Sequence, residues 1–147
     1  MKYYISVFVV MAFIVVVPTQ TSAGDIAIMS QFDEGERYDL AHSRTYQVEG
    51  NSMKTFGFAH DALVTVVPAV EFRVGDVIAF ECNHDECDGA YIKKIVQKQK
   101  SCYWLEGRND VWEEDNQKRQ SLDSRTTYGW LCDDDIDIYG VAFLQDV

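Results

Sequence analysis

Short apolar and β-branched runs, separated by turn signals, recur along this chain from residue 45 to the last strand-like segment near its end. Runs of this length and composition are typical of β-strands. Outside the N-terminal segment, no long stretch repeats apolar residues at helical spacing. The pattern therefore predicts an all-β or β-rich fold, either a small coiled barrel or a sandwich. The predicted strands cover Thr45 to Glu49 and residues 62–67, 77–81, 91–97, 101–106 and 139–144.

The intervening segments are more polar. Residues 24–44 predict a lead-in with at most a short strand, and residues 54–61 predict a loop. Residues 82–89 predict a charged, exposed loop, and residues 107–122 a long polar connection. No repeat or internal boundary divides the chain after residue 23, so we expect a single domain over residues 24–147.

The N-terminus has the pattern of an export signal. Lys2 precedes an apolar run over residues 3–18, and small residues follow at Thr21 and Ala23. This order predicts a secretory signal over residues 1–23 with cleavage after Ala23. A retained anchor is the alternative, since the apolar run is only slightly shorter than a membrane span. Both interpretations place the remaining domain outside the cytoplasm, in the periplasm or at the cell membrane.

Charge and cysteine content narrow the class of protein. The formal net charge is −11, which argues against nucleic acid as a partner because such a surface needs a basic patch. Four cysteines in an exported chain predict disulfides, with Cys82 to Cys87 and Cys102 to Cys132 as possible pairs. The spacing of Cys82, His84 and Cys87 matches no usual zinc site, and the acidic run at residues 133–137 lacks the glycine and ligand spacing of a calcium loop.

A serine and a lysine carry the candidate chemistry. Ser52 lies in a short polar turn after the first predicted strand, and Lys93 and Lys94 interrupt an apolar strand pattern. Burial disfavours the charged form of a lysine, so its pKa falls and it becomes able to act as a base. Such a base can activate a serine hydroxyl as a nucleophile. Strand alternation does not choose between Lys93 and Lys94, because each shares a face with apolar neighbours.

Four stretches in order resemble type I signal peptidases and the wider Ser–Lys peptidase superfamily (S24/S26-like). They cover Gly50 to Met53, Val74 to Phe80, Tyr91 to Val96, and a last part that joins residues 107–109 to residues 121–125. Gly140 and its strand are similar to the closing segment of that fold. The resemblance implies the small coiled β-barrel of signal-peptidase type and a catalytic domain without cofactor or metal.

The resemblance also implies a role for each matching residue. Ser52 would be the nucleophile, and its backbone N–H would donate to the oxyanion. Lys93 would be the general base, and this preference over the next lysine comes only from the family pattern. Ser121 would hydrogen-bond the lysine amine, and Asp123 and Arg125 would form a supporting ion pair.

The implied activity is a serine endopeptidase that removes signal peptides or pro-segments from exported preproteins, after small residues and at the membrane surface. A specialised pilin-maturation peptidase is one alternative. An inactive exported binding module with the same fold is another, because Gly107-Arg108-Asn109 replaces an acid of the family motif with a base. A cytoplasmic, self-cleaving, repressor-type Ser–Lys protein is a third, although the signal segment and the cysteines argue against it.

Overall fold

The computed structural model describes residues 13–16, 37–84 and 87–145, with the backbone alone described at residues 13–16, 84, 87 and 88. Strands dominate this part of the chain, and single helical turns follow at Leu40–His42, Lys54–Phe56 and Ser124–Tyr128. The strands are β1 Phe13–Val16, β2 Arg44–Glu49, β3 Leu63–Val67, β4 Val77–His84, β5 Cys87–Gln99, β6 Cys102–Glu106, β7 Trp112–Glu114, β8 Gln117–Arg119, β9 Leu131–Cys132 and β10 Ile136–Leu144.

The β-rich prediction is confirmed. Eight strands form one antiparallel sheet in the order β1-β2-β3-β10-β4-β5-β6-β9, and β7 and β8 form a separate hairpin. The predicted barrel or sandwich is not what the described residues form. They give one large sheet beside the small β7–β8 hairpin, and β1 meets β5 at a single residue pair, Phe13 with Tyr91. One pair does not make the continuous ladder that closes a barrel.

Both faces of the sheet are packed against apolar side chains. One cluster contains Phe80, Tyr91 and Ile95 together with side chains of β6. The other contains Val48, Met53 and Ile92. Because successive side chains of a strand point to opposite faces, Lys93 lies on the side of Tyr91 and Ile95. The central strands therefore read as continuous apolar runs rather than as alternating ones.

Two predicted loops contain strands. The predicted loop at residues 82–89 is the end of a long hairpin, because β4 and β5 remain paired from Val77 with Lys94 to His84 with Cys87. The predicted polar connection at residues 107–122 contains the β7–β8 hairpin. Its turn is Asp115-Asn116, and both residues have positive φ angles of 51° and 60°. These angles are typical of the two-residue hairpin turn that Asp and Asn favour.

The predicted signal or anchor segment lies outside the described residues except for β1. Phe13–Val16 pairs in antiparallel register with β2, from Phe13 opposite Glu49 to Val16 opposite Tyr46. Across the three described ranges, none of the helical turns has the length and apolar character needed to cross a bilayer.

Cysteines on three strands of the sheet are disulfide-bonded. Cys102 and Cys132, one of the two pairs considered from the sequence, are bonded to each other and join β6 to β9. Cys82 on β4 is also disulfide-bonded. The side chain of Cys87 lies outside the described residues.

Candidate active site

Ser52 is held in a tight turn between β2 and a helical turn. Gly50, with φ of 85°, lets the chain reverse after β2. Met53 is fully buried in the core cluster with Val48 and Ile92 and anchors the turn from beneath. The backbone N–H of Arg108 donates to the Ser52 carbonyl oxygen at 2.7 Å. The position of Ser52 is therefore fixed both by core packing and by a backbone contact from a distant segment.

Lys93 extends from the middle of β5 to Ser52. Its Nζ lies 2.7 Å from the Ser52 Oγ, and both side chains are 0 % exposed. Burial lowers the pKa of Lys93 from 10.5 to about 7; the Asp123 carboxylate opposes this shift and the Arg125 guanidinium adds to it. Near neutral pH a large fraction of this amine is uncharged, so it can accept the proton of the serine hydroxyl.

The structure distinguishes the two lysines that the sequence pattern could not. Lys94 is only half-buried, and its ammonium lies 4.8 Å from the centre of the Phe56 ring. Of the two, Lys93 has the burial and the contact with Ser52 that the proposed base requires.

Ser121 reaches the site by a different contact from the one expected. Its hydroxyl donates to the Ser52 carbonyl oxygen at 3.3 Å, whereas the resemblance implied a hydrogen bond to the Lys93 amine. The space between these groups is bounded by Gly107. A Cβ built on Gly107 would lie 2.6 Å from Ser121 Oγ and from the Ser52 carbonyl oxygen, and 3.1 Å from Lys93 Nζ. The Ser121 hydroxyl, the Ser52 carbonyl and the Lys93 amine therefore lie so close to Gly107 that no side chain fits at this position.

Asp123 and Arg125 form an ion pair that contacts the segment around Gly107. Arg125 Nη2 lies 2.6 Å from Asp123 Oδ2, and Asp123 is 0 % exposed. The same carboxylate accepts the Gly107 N–H at 2.9 Å, and Arg125 donates to the carbonyl oxygens of Gly107 and Arg108. The ion pair therefore fixes the segment that contacts Ser52.

Sequence reasoning did not assign a role to Gly107 or to the backbone of Arg108. The signal was present in the Gly107-Arg108-Asn109 motif, which was considered only for its changed side chain. The described contacts of Arg108 with Ser52 go through the main chain, so an acid-to-base change leaves that contact possible.

Two cavities differ in their relation to the site. A cavity of about 220 Å³ is lined by residues 108–111 together with Gln120, Ser121, Arg125 and Thr126, and so lies beside Ser121 and Arg125. A larger one, of about 480 Å³, lies between His42, Tyr46 and Tyr139, and none of the five predicted site residues lines it. The smaller cavity is the relevant one because it shares Ser121 and Arg125 with the site. Within the described residues, no cluster of three or more His, Cys, Asp or Glu side chains could hold a metal ion.

Comparison with known protein families matches residues 18–132 to the family described as Peptidase S24-like. The chain belongs to this family. The match covers Ser52, Lys93, Ser121, Asp123 and Arg125. Membership makes the protein a serine peptidase at the level of family and supports the S24/S26-type resemblance. No curated protein and no solved structure matches the chain.

Proposed function

We propose that this S24-like protein is a Ser–Lys endopeptidase in which Ser52 is the nucleophile and Lys93 the general base. The observation that carries the proposal is the 2.7 Å contact between Lys93 Nζ and Ser52 Oγ, made between two fully buried side chains. A lysine with a pKa of about 7 takes up and releases a proton near neutral pH.

The proposed reaction uses one proton carrier in both directions. Neutral Lys93 removes the Ser52 proton as Oγ attacks the scissile carbonyl carbon. The backbone N–H of Ser52 donates to the oxyanion of the tetrahedral intermediate. The lysine ammonium then protonates the leaving amine, and an acyl-enzyme remains on Ser52. Water, deprotonated by Lys93, hydrolyses the ester and restores the free serine.

The proposed substrates are exported polypeptides that are cleaved after a small residue at the outer surface of the cytoplasmic membrane. Support comes from the export pattern of residues 1–23 and from the resemblance of the four stretches to signal peptidases. Shallow pockets between apolar strand residues would admit alanine-sized side chains. A peptidase that matures one pilin-like substrate is a narrower version of the same activity.

The test is cleavage of model preproteins and peptides with an Ala-Gly junction by the purified protein. Ser52→Ala and Lys93→Met should each reduce cleavage by several orders of magnitude. The matched control is Lys94→Met, which removes the neighbouring, half-buried lysine and should retain activity. A folded wild-type protein that cleaves no precursor or peptide, including its own N-terminal segment, would favour the inactive binding module instead.

A second candidate is self-processing at the Ala23–Gly24 bond. The family also includes LexA-like autoproteases. Two observations favour this candidate: the family match begins at residue 18, before the predicted cleavage point, and β1 pairs with β2 and β5 of the sheet. Mass spectrometry of full-length wild type and Ser52→Ala would show loss of residues 1–23 in the wild type alone. A first-order rate that is independent of protein concentration would identify an intramolecular reaction.

A further inference from the structure

Arg119 on β8 has a buried side-chain nitrogen without a partner. Only 9 % of the residue is exposed, and its Nε has no hydrogen-bond acceptor in the described part of the chain. The other buried or partly buried arginines each contact a carboxylate: Arg37 contacts Asp76, Arg108 contacts Asp110 and Arg125 contacts Asp123. A buried guanidinium without a counter-charge is unfavourable, and an external carboxylate would offset that cost.

The residue opposite Arg119 supplies a second unsatisfied donor. Trp112 on β7 pairs directly with Arg119, and its indole Nε1–H is also buried without an acceptor. One ring face of Trp112 is covered by the Arg108 guanidinium at 4.5 Å from the ring centre, and Arg108 is itself held by Asp110. Two donors on facing strands therefore lack acceptors, and the adjacent arginine does not compete for a new anion because it is already neutralised.

The hairpin that carries these donors is attached to the active site at three points. Arg108, which precedes it, donates to the Ser52 carbonyl oxygen, and Ser121, which follows it, donates to the same oxygen. On the hairpin itself, Glu114 accepts a hydrogen bond of 2.8 Å from the side chain of Asn51, the neighbour of Ser52. Burial alternates from Arg119 through Gln120 to Ser121, so Arg119 and Ser121 point to the same inward side.

We propose that Arg119 and Trp112 form a substrate subsite that binds an acidic side chain close to the scissile bond. This inference rests on the proposed peptidase function and names a substrate class for it. The 220 Å³ cavity beside Ser121 is lined by Val111 and Gln120, the chain neighbours of the two donors, although neither Trp112 nor Arg119 lines it. The guanidinium fork and the indole N–H together satisfy two oxygens of one carboxylate.

The test uses synthetic peptides with the sequence of residues 18–30, in which Asp25 stands two residues after Ala23. Asp25 is changed to Asn, and a single Asp is then placed in turn at each of the four positions on either side of the Ala-Gly bond. Binding is measured by calorimetry to the Ser52→Ala protein, which leaves the peptides intact. At one position, the Asp peptide should bind about 10-fold more tightly than its Asn counterpart, as a charge-assisted hydrogen bond predicts.

Three further variants, made in the Ser52→Ala protein, assign that preference to the subsite. Arg119→Gln should reduce the Asp-to-Asn affinity ratio to about one, and Trp112→Phe, which keeps the ring but removes the donor, should reduce it in part. Lys118→Gln is the control, because it removes an exposed positive charge from the next residue and should leave the ratio unchanged. If Arg119→Gln does not fold, Arg119→Lys replaces it and should lower the ratio by losing the forked geometry.

An unchanged ratio in the Arg119 and Trp112 variants, or no position at which Asp is preferred, would overturn the proposal. Cleavage of the same peptides by wild type separates the two claims. Cleavage without an Arg119-dependent preference would remove the subsite and leave the peptidase. An Arg119-dependent preference without cleavage of any peptide would keep the subsite and remove the peptidase.

Discussion

The strictest test of the site geometry is Gly107→Ala. The added methyl group would lie 2.6 Å from two oxygens, about 0.8 Å closer than the 3.4 Å at which ordinary contact begins. The Ser121 hydroxyl can rotate away, but the Ser52 carbonyl belongs to the backbone. Because this carbonyl also accepts the Arg108 N–H at 2.7 Å, it moves only if the nucleophile turn or the segment after β6 moves with it.

Two effects of different size follow. Overpacking of a filled site costs about 1–3 kcal/mol of unfolding free energy. A displacement of the nucleophile by about 1 Å reduces the rate by about 100-fold. Activity should therefore fall far more than the folded population, because a loss of a few kcal/mol still leaves a stable domain largely folded.

The assay compares kcat/KM on an Ala-Gly peptide with the urea midpoint of the same preparation. The matched control is Gly75→Ala, at an exposed turn with φ of 98° and no atom within 4 Å of the added Cβ. This control should lose about 1 kcal/mol through backbone strain and keep wild-type activity. Gly107→Ala with wild-type kcat/KM would refute the reasoning, since it would show that the carbonyl and hydroxyl contacts of Ser52 do not position the nucleophile.

Three further outcomes are expected. First, kcat/KM should rise with pH around a midpoint of about 7 as Lys93 loses its proton. In urea melts over the same pH range, the unfolding free energy of wild type should rise from about pH 7 to pH 10.5, because the unfolded lysine still binds a proton there and the folded one does not. Lys93→Met has no such group, so it should be more stable than wild type at low pH and lose that advantage over this range. Second, Asp123→Asn should lower the pH midpoint, because the carboxylate raises the lysine pKa, and should cost about 1.5–3 kcal/mol by weakening a charged hydrogen-bond network; a midpoint that stays in place would contradict the electrostatic assignment. Third, the double variant Cys102→Ser, Cys132→Ser should lose about 2–4 kcal/mol of unfolding free energy, because the bond closes a loop across a separation of 30 residues. Its stability is measured beside that of wild type with and without reductant, and equal stability of the two proteins would exclude that contribution.

Local sequence patterns were sufficient for most of the sheet. The β-branched runs around residues 45–49 and 62–67 correspond to β2 and β3 within one residue at each end. The β7–β8 hairpin was missed because its strands are polar and only three residues long, so the Asp115-Asn116 turn was the only local indication. Short polar strands gain little from burial and leave no apolar period to detect.

The members of the candidate site were proposed from the sequence, but their contacts could not be. Ser52 and Lys93 follow from residue type and resemblance, but the choice of Lys93 over Lys94 depends on which face of β5 meets the serine turn. That choice is made by the register of β4 with β5, which places Lys93 opposite Ile78. The contact of Ser121 with the Ser52 carbonyl depends on the close approach at Gly107, and no local pattern encodes an approach between segments 55 residues apart.

The disulfide between Cys102 and Cys132 separates the chain into two parts that tolerate sequence changes to different degrees. The proposed nucleophile and base lie on chain segments before the bond. Gly107, Ser121, the supporting ion pair and the β7–β8 hairpin all lie within the loop that it closes. The β7–β8 hairpin can therefore be lengthened or exchanged within this loop while both ends of the loop return to the same two positions on the sheet. Such an exchange, with Gly107, Ser121 and the ion pair kept, would alter what the peptidase selects and leave Ser52 and Lys93 in place, so the hairpin is the natural unit for transplanting specificity between relatives.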